Sequence, residues 1–153
     1  MPHTVAFYVH VGHQLLDLAG PLDAFHAANA AADRPLYATN VLSVSGGEVC
    51  GGTGLPIGTR PATNASADTL IVVGGLRERL RDSAEVGMVR CLASKATRIA
   101  SVCTGAFLLG EAGLLNGRRA TTHWSRANEL QQCFPSASVE PDRIFVADGP
   151  VWT

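Results

Sequence analysis

The sequence predicts an α/β fold built on a mainly parallel sheet. Short β-branched runs alternate along the chain with segments of helical pattern, as expected when strands are joined by crossover helices. The runs at 70–73 and 99–102 are continuously apolar, which is typical of central strands covered on both faces. Apolar residues make up 46% of the chain and charged residues 16%, a balance that argues against disorder and suits a core buried from both sides.

Strands and helices are predicted in the following order along the chain. The strands fall at 4–11, 36–45, 68–75, 98–102, 118–123 and 143–149. The helices fall at 20–32, 77–96, 104–113 and 125–133. Pro21 suits the first turn of the first helix, and Gly113 suits the end of the third. The stretch 46–64 is predicted to be rich in loops with one short extended segment, because its glycines favour turns.

Length and charge set limits on the function. The 153 residues suit one domain with a substantial core, and no repeat or linker divides them. Twelve basic and 13 acidic residues give a net charge of −1, which leaves no electrostatic surplus for holding nucleic acid. No apolar run approaches the roughly 20 residues that span a bilayer, and the N-terminus lacks the features of a signal peptide. We therefore expect a cytoplasmic protein with no membrane partner.

Cys103 is the strongest candidate for a functional residue. It directly follows the predicted strand at 98–102 and precedes a predicted helix, so it lies at the carboxyl edge of the sheet, where sites form in open α/β folds. A helix N-terminus stabilises a thiolate, and the strand–cysteine–helix order resembles a nucleophile elbow. The alternative is a small buried packing residue, which is the interpretation we give to Cys50, Cys91 and Cys133.

Two further segments are predicted to open at the same edge of the sheet. Asp17 follows the first strand and could reach the thiol as its acid/base partner; alternatively, it caps helix 20–32. Gly74 and Gly75 end the strand at 68–75. The backbone N–H of either glycine, together with that of Thr104, would form an oxyanion-type pocket, or the glycines only turn the chain into the next helix.

The remaining reactive residues give weaker signals. His123 ends the run at 118–123 and either faces the site as a proton carrier or anchors a loop. His10 and His13 spell H-x-x-H, but on a strand they would face opposite sides, so we predict no metal site. No G-x-G-x-x-G lies between a strand and a helix, and no P-loop lysine is present, so no cofactor is predicted. Trp124 and Trp152 are interpreted as core or interface residues.

Four stretches resemble the ThiJ/PfpI, or class I glutamine amidotransferase-like, superfamily. They are "LLDLAGPLDAF", "LIVVGG", "ASVCTGAFLLGEAGLLNGRRATTHW" and "VEPDRIFVADGPVWT". The chain is most similar to the N-terminal domain of AraC-type transcriptional regulators, with stand-alone isonitrile hydratases as near relatives. The resemblance covers essentially the whole chain and implies a flavodoxin-like three-layer sandwich, a cysteine at the elbow and a homodimer.

The resemblance also implies roles for individual residues. In the hydratase branch the elbow cysteine attacks the isonitrile carbon and an aspartate transfers the proton, which implies Cys103 as nucleophile and Asp17 as acid/base partner. In the regulator branch the same pocket is expected to sense a small metabolite, while a separate helix-turn-helix domain binds DNA. Ligand contacts are then expected from Thr104, Gly74, Gly75 and His123.

We expect the sensing role. The alternative is a cysteine-dependent hydratase or hydrolase acting on a small carbon–nitrogen substrate, and a third possibility is a scaffold that has lost its ligand. These alternatives differ in whether turnover occurs at Cys103.

Three features depart from the pattern of the superfamily. Thr104 stands where protease-like members have histidine, so a Cys-His peptidase would lack its base. Val73 stands where relatives often have proline. The chain ends at Thr153, where the family continues with another sheet segment, a helix and, in regulators, the DNA-binding module. We therefore expect 1–153 to be a single domain shortened at its C-terminal end, without a DNA-binding domain and prone to associate.

Overall fold

A mainly parallel sheet of eight strands forms the centre of the computed structural model, which describes residues 1–76 and 79–153. The strands of this sheet are β1 (His3–Tyr8), β2 (Tyr37–Ser43), β3 (Gly47–Cys50), β4 (Pro56–Pro61), β5 (Thr69–Val72), β6 (Arg98–Ser101), β9 (Ala147–Asp148) and β10 (Val151–Trp152). Two more strands, β7 (Arg119–Ala120) and β8 (Ser138–Val139), pair with each other in a separate sheet.

The strand order in the large sheet is β3-β4-β2-β1-β5-β6-β10-β9. Every pair from β4 to β10 is parallel, whereas the outermost strands β3 and β9 pair antiparallel. The predicted α/β fold with a mainly parallel sheet is thus confirmed. Because parallel strands present their carboxyl ends on one edge, the segments after β1, β5 and β6 meet there.

Helices cover both faces of the sheet. They are α1 (Leu15–Ala30), α2 (Ser83–Ala93), α3 (Gly105–Glu111) and α4 (Ala127–Cys133). Phe7 of β1 points to the face where Leu18 of α1 is buried, whereas its neighbour Tyr8 points to the face where Val89 of α2 and Leu108 of α3 are buried. This alternation along one apolar strand gives the three-layer sandwich that the resemblance implies. No helix in the described part of the chain is long and apolar enough to cross a membrane.

The first helix begins earlier than predicted. It starts at Leu15, so Pro21 lies inside the helix and not in its first turn. The start is fixed from outside the helix, because the backbone N–H of Gln14, the N-cap residue, donates to the carbonyl of Gly74 at 2.8 Å. Asp17 therefore lies in the first turn of α1, and the alternative that it caps a helix beginning at residue 20 is wrong.

The helix predicted at 77–96 is shorter in the structure. Residues 77 and 78 lie outside the described residues, a 3₁₀ turn covers Arg79–Arg81, and α2 follows from Ser83. The side chain of Asp82 begins α2 by accepting hydrogen bonds from the backbone N–H groups of Ala84 and Glu85 at 2.9 and 3.3 Å. The predicted bounds of α3, α4, β1, β2, β5 and β6 hold to within three residues. Gly113, with φ of +78°, follows the end of α3 as predicted.

Three predicted segments differ from the structure. The stretch 46–64 contains an antiparallel hairpin of two strands, β3 and β4, in place of the single short extended segment expected. The predicted strand 118–123 contributes only β7, which lies outside the large sheet. The predicted strand 143–149 forms only the two-residue edge strand β9.

Candidate functional site

Cys103 occupies a strained turn between β6 and α3. Its φ is +54°, a left-handed conformation that non-glycine residues rarely adopt. The turn is held from two sides, because the Val102 N–H donates to the Val72 carbonyl at 3.0 Å and the Thr122 hydroxyl donates to the Cys103 carbonyl at 2.8 Å. A methyl group on Gly105 would overlap the Val72 carbonyl oxygen, so the turn packs tightly against β5. The half-buried thiol is thereby fixed at the carboxyl edge of the sheet.

The side chain of Asp17, from the first turn of α1, lies beside the Cys103 turn, next to Gly74 and Thr104. A methyl group placed on Gly74 would lie 2.8 Å from Asp17 Oδ2, 2.8 Å from the Thr104 hydroxyl oxygen and 2.9 Å from the Thr104 backbone nitrogen. Asp17 Oδ2 is buried and accepts no hydrogen bond from a described residue in good geometry, although the carboxyl group lies within hydrogen-bonding range of the Cys103 thiol. The structure thus brings Cys103, Asp17, Thr104 and Gly74 together around one point, at the sheet edge where the sequence placed these segments.

The thiol and the carboxyl group favour their neutral forms. Burial raises the pKa of the Cys103 thiol, and the nearby charge of Asp17 raises it further. The Thr104 backbone N–H lowers that pKa, as the argument from the helix N-terminus predicts, but the raising effects outweigh it. Burial likewise raises the pKa of Asp17, against smaller lowering effects of Cys103 and His123. The thiolate expected from the sequence is therefore disfavoured in the free protein.

Thr104 and Gly75 are bonded to each other. The Gly75 N–H donates to the Thr104 hydroxyl oxygen at 3.0 Å, and the hydroxyl lies 3.3 Å from the Gly75 carbonyl oxygen, to which it donates. This pair fixes the loop after β5 against the start of α3. The Gly75 N–H that was a candidate oxyanion donor is therefore engaged by a side chain in this structure, which leaves the Thr104 N–H facing the thiol.

His123 faces the site through a 3₁₀ turn at Trp124–Arg126. Its Nδ1 accepts a hydrogen bond from the Ser125 backbone N–H at 3.3 Å and lies 2.8 Å from the Ser125 hydroxyl. An accepting Nδ1 carries no proton, so in the neutral ring the proton is on Nε2. When the ring is protonated, its charge lowers the pKa of Asp17, an effect smaller than that of burial.

Two cavities meet at Cys103 and His123. The smaller, of about 250 Å³, is also lined by Gln14, Gly75, Thr104, Ser125 and Arg126. The larger, of about 540 Å³, is lined on its far side by Ile144, Phe145 and Trp152. Sequence reasoning identified Cys103, Thr104, Gly75 and His123 in these walls.

Sequence reasoning missed Gln14, Ser125 and Arg126, which come from turns outside the predicted strand ends. Thr122 was also missed, although its place next to His123 in "TTHW" was a usable signal. These residues approach the site because the loops after β1 and β7 fold back over the edge of the sheet. This folding depends on tertiary contacts, and no local sequence pattern predicts it.

His10 and His13 lie beside the site and are almost completely buried. Nδ1 of His10 lies 3.0 Å from the Val11 carbonyl oxygen, and Nδ1 of His13 lies 3.0 Å from that of His10. Both residues follow the end of β1, so the assumption that they alternate on a strand is wrong. His13 pairs with Gly75 in an isolated bridge, and burial lowers the pKa of its ring. The two rings thus support the loop after β5.

The protein is thus a doubly wound α/β domain that carries a cysteine at a strained turn between a strand and a helix. The DJ-1/PfpI family matches residues 3–153, and the chain belongs to that family. The resemblance seen in the sequence is therefore confirmed.

Relatives of known sequence include both regulators and an enzyme. The chain is 46% identical over 143 residues to the "Uncharacterized protein in cpoL 5'region" of Streptomyces lividans, covering 88% of this chain and 97% of that protein. It is 32% identical to the HTH-type transcriptional regulator GbdR of Pseudomonas aeruginosa, covering 96% of this chain and 41% of the regulator. It is also 32% identical to the isonitrile hydratase of Pseudomonas putida, covering 97% of this chain and 63% of the hydratase.

The fold also matches solved structures. A THiJ/PfpI family protein from Pseudomonas syringae superposes with a TM-score of 0.84 at 25% identity, covering all of this chain and 62% of that one. The chain therefore spans well under two thirds of the regulator and slightly less than two thirds of the hydratase and of this solved protein.

Proposed function

We propose that this chain is a small-molecule-sensing domain of the kind that AraC-type regulators carry, with its ligand bound at the Cys103 turn. Similarity to an HTH-type regulator over 96% of the chain supports this proposal. The net charge of −1 supports it too, because DNA contact would then belong to a separate domain. Thr104, Gly75 and His123 would contact the ligand, and the turn at Cys103 would serve as the elbow that presents the thiol.

One observation favours sensing over catalysis. The pKa of the Cys103 thiol is raised by burial and by Asp17, so at neutral pH the cysteine is a neutral thiol. Nucleophilic cysteines usually have a lowered pKa, because the thiolate is the attacking species. A neutral thiol beside a small cavity of about 250 Å³ suits reversible contact with a ligand better than attack on it.

The alternative is an isonitrile hydratase-type enzyme, which the buried Asp17 carboxyl favours. In that reaction the Cys103 sulfur bonds to the isonitrile carbon, and the thiol proton passes through Asp17 to the same carbon, giving a thioimidate. Water then adds to this carbon, the carbon–sulfur bond breaks, and an N-substituted formamide leaves as the proton returns to sulfur. The unpartnered, buried Oδ2 of Asp17 is suited to carrying that proton.

Comparing binding with turnover in Cys103→Ser distinguishes the two functions. Each protein is titrated calorimetrically with a panel of small isonitriles and amides, and formamide production is followed by mass spectrometry. A sensor binds at least one compound without converting it, and Cys103→Ser retains that affinity to within about threefold, because serine keeps the size and the hydrogen-bonding capacity of the side chain.

Cys91→Ser is the matched control, since Cys91 is exposed on α2 and remote from the turn. Turnover that disappears in Cys103→Ser and persists in Cys91→Ser would establish the enzyme and reject the sensor. The absence of any binding by the unsubstituted protein would count against both.

A further inference from the structure

We propose that Arg126 makes the smaller cavity selective for a compound that carries a single carboxylate; this inference rests on the proposed function of that cavity as a ligand site. Among the described residues that line the cavity, Arg126 is the one that is permanently charged. The other polar side chains there, those of Gln14, Thr104 and Ser125, are neutral donors and acceptors.

Arg126 is held in place before any ligand arrives. Its Nε donates to Glu129 Oε2 at 2.6 Å, an ion pair one turn along the chain. Its guanidinium carbon lies 5.6 Å from the centre of the Phe107 ring, which is buried on α3 just after the Cys103 turn. Two contacts on different elements thus fix the plane of the guanidinium group. A fixed charged group loses little conformational entropy on binding, which favours selectivity.

The terminal nitrogens of Arg126 are left for a ligand. Within the described residues the hydrogen bonds of its guanidinium group use Nε alone, although the group carries five N–H donors. Two parallel N–H donors match the two oxygens of a carboxylate, which is the geometry of the strongest ion-pair hydrogen bonds. Because Arg126 lines the same cavity as Cys103, a ligand bound by its terminal nitrogens would lie beside the thiol.

The size and charge of the cavity narrow the ligand class. About 250 Å³ is below the range of about 300 to 1,000 Å³ that holds drug-sized ligands, so the ligand is small. A phosphate dianion would bring two negative charges to one guanidinium group that already has Glu129 as partner. A carboxylate brings only one, and Gln14 and Ser125 can accommodate the neutral remainder of the molecule.

Alkylation of Cys103 by two reagents of the same shape tests this inference. Iodoacetate carries a carboxylate and iodoacetamide a neutral amide; in both, the sulfur displaces iodide from the CH₂ carbon and the thiol proton goes to solvent. Rates at each cysteine are measured by peptide mass spectrometry at low ionic strength. Both rates depend on the thiolate fraction of the cysteine, so the ratio of the iodoacetate rate to the iodoacetamide rate does not. Cys91, which is exposed in the same chain, serves as the internal reference.

We expect this ratio to be about fivefold higher at Cys103 than at Cys91, the size of a partly screened ion pair. In Arg126→Gln the ratio at Cys103 falls to the reference value, whereas Arg126→Lys keeps part of the preference. Arg98→Gln removes the same charge outside the cavity, over the ring of Trp152 at 4.7 Å, and leaves the ratio unchanged. Acetate, but not acetamide, protects Cys103 in the unsubstituted protein.

Three outcomes would overturn the inference, and they differ in whether the ligand site falls with it. Equal ratios at Cys103 and Cys91, or a preference that survives Arg126→Gln, would reject the carboxylate selectivity and leave the ligand site standing. If iodoacetamide modified Cys91 but left Cys103 unmodified even at alkaline pH, where the raised pKa of the Cys103 thiol no longer limits its ionisation, the cavity would be closed to small molecules, and the proposed function would fail as well.

Discussion

Burial of Asp17 makes its charged form unfavourable in the folded protein. Its pKa is raised above the value of about 3.9 that an unfolded chain has. Over the pH interval between these two values the folded state binds more protons than the unfolded state, so the free energy of unfolding falls as the pH rises through it. Ionisation of Asp17 in the folded protein therefore comes at the expense of stability.

Asp17→Asn is accordingly expected to stabilise the protein at neutral pH. The substitution keeps the shape of the side chain and removes the buried charge. The midpoint of chemical unfolding should rise at pH 7, and the gain should shrink as the pH falls toward 3.8, where the wild-type carboxyl becomes protonated in both states. Asp23→Asn, on an exposed position of the same helix, is the control and should change little. A lower midpoint for Asp17→Asn at pH 7 would contradict the argument.

The contact between α3 and β5 positions the thiol of Cys103. Gly105→Ala would push a methyl group into the Val72 carbonyl oxygen, so we expect it to lower the free energy of unfolding by about 3 kcal/mol and to disturb the Cys103 turn. Gly87→Ala in α2 is the matched control, because a methyl group there meets no atom within 4 Å. That control should stabilise the protein by about 1 kcal/mol, since alanine favours a helix over glycine. Equal effects in urea unfolding would show that the contact is not tight.

The sequence was informative about elements whose pattern is local. The apolar runs at 70–73 and 99–102 predicted β5 and β6. Because parallel strands share one edge, the sequence also placed Asp17 and Cys103 at the same edge, although it did not establish that they are adjacent. The β3–β4 hairpin was missed because its strands are polar and rich in glycine, so alternation is weak. Arg126 was missed because only the folding back of the chain after β7 brings it to the cavity, and no periodic pattern encodes that.

Three exposed apolar side chains lie together on one surface of the described part of the molecule. Ile144 is 99% exposed, Phe145 69% and Trp152 40%, and all three line the larger cavity next to Cys103. Apolar side chains grouped in this way on a described surface mark a contact site or a tendency to aggregate, whereas single exposed ones are ordinary. Because these three side chains line one cavity together, we expect the predicted self-association to occur through this surface.

Phe145→Ser should therefore weaken self-association. Sedimentation velocity over a range of concentrations measures the dissociation constant, which we expect to rise by about tenfold because a large aromatic side chain at the centre of a contact often contributes more than 1 kcal/mol. Leu16→Ser is the matched control, since Leu16 is an apolar residue 77% exposed on α1 that does not line the larger cavity. Leu16→Ser should associate like the unsubstituted protein. If the unsubstituted chain sedimented as a monomer throughout, or if both variants behaved alike, the grouped apolar residues would not drive association.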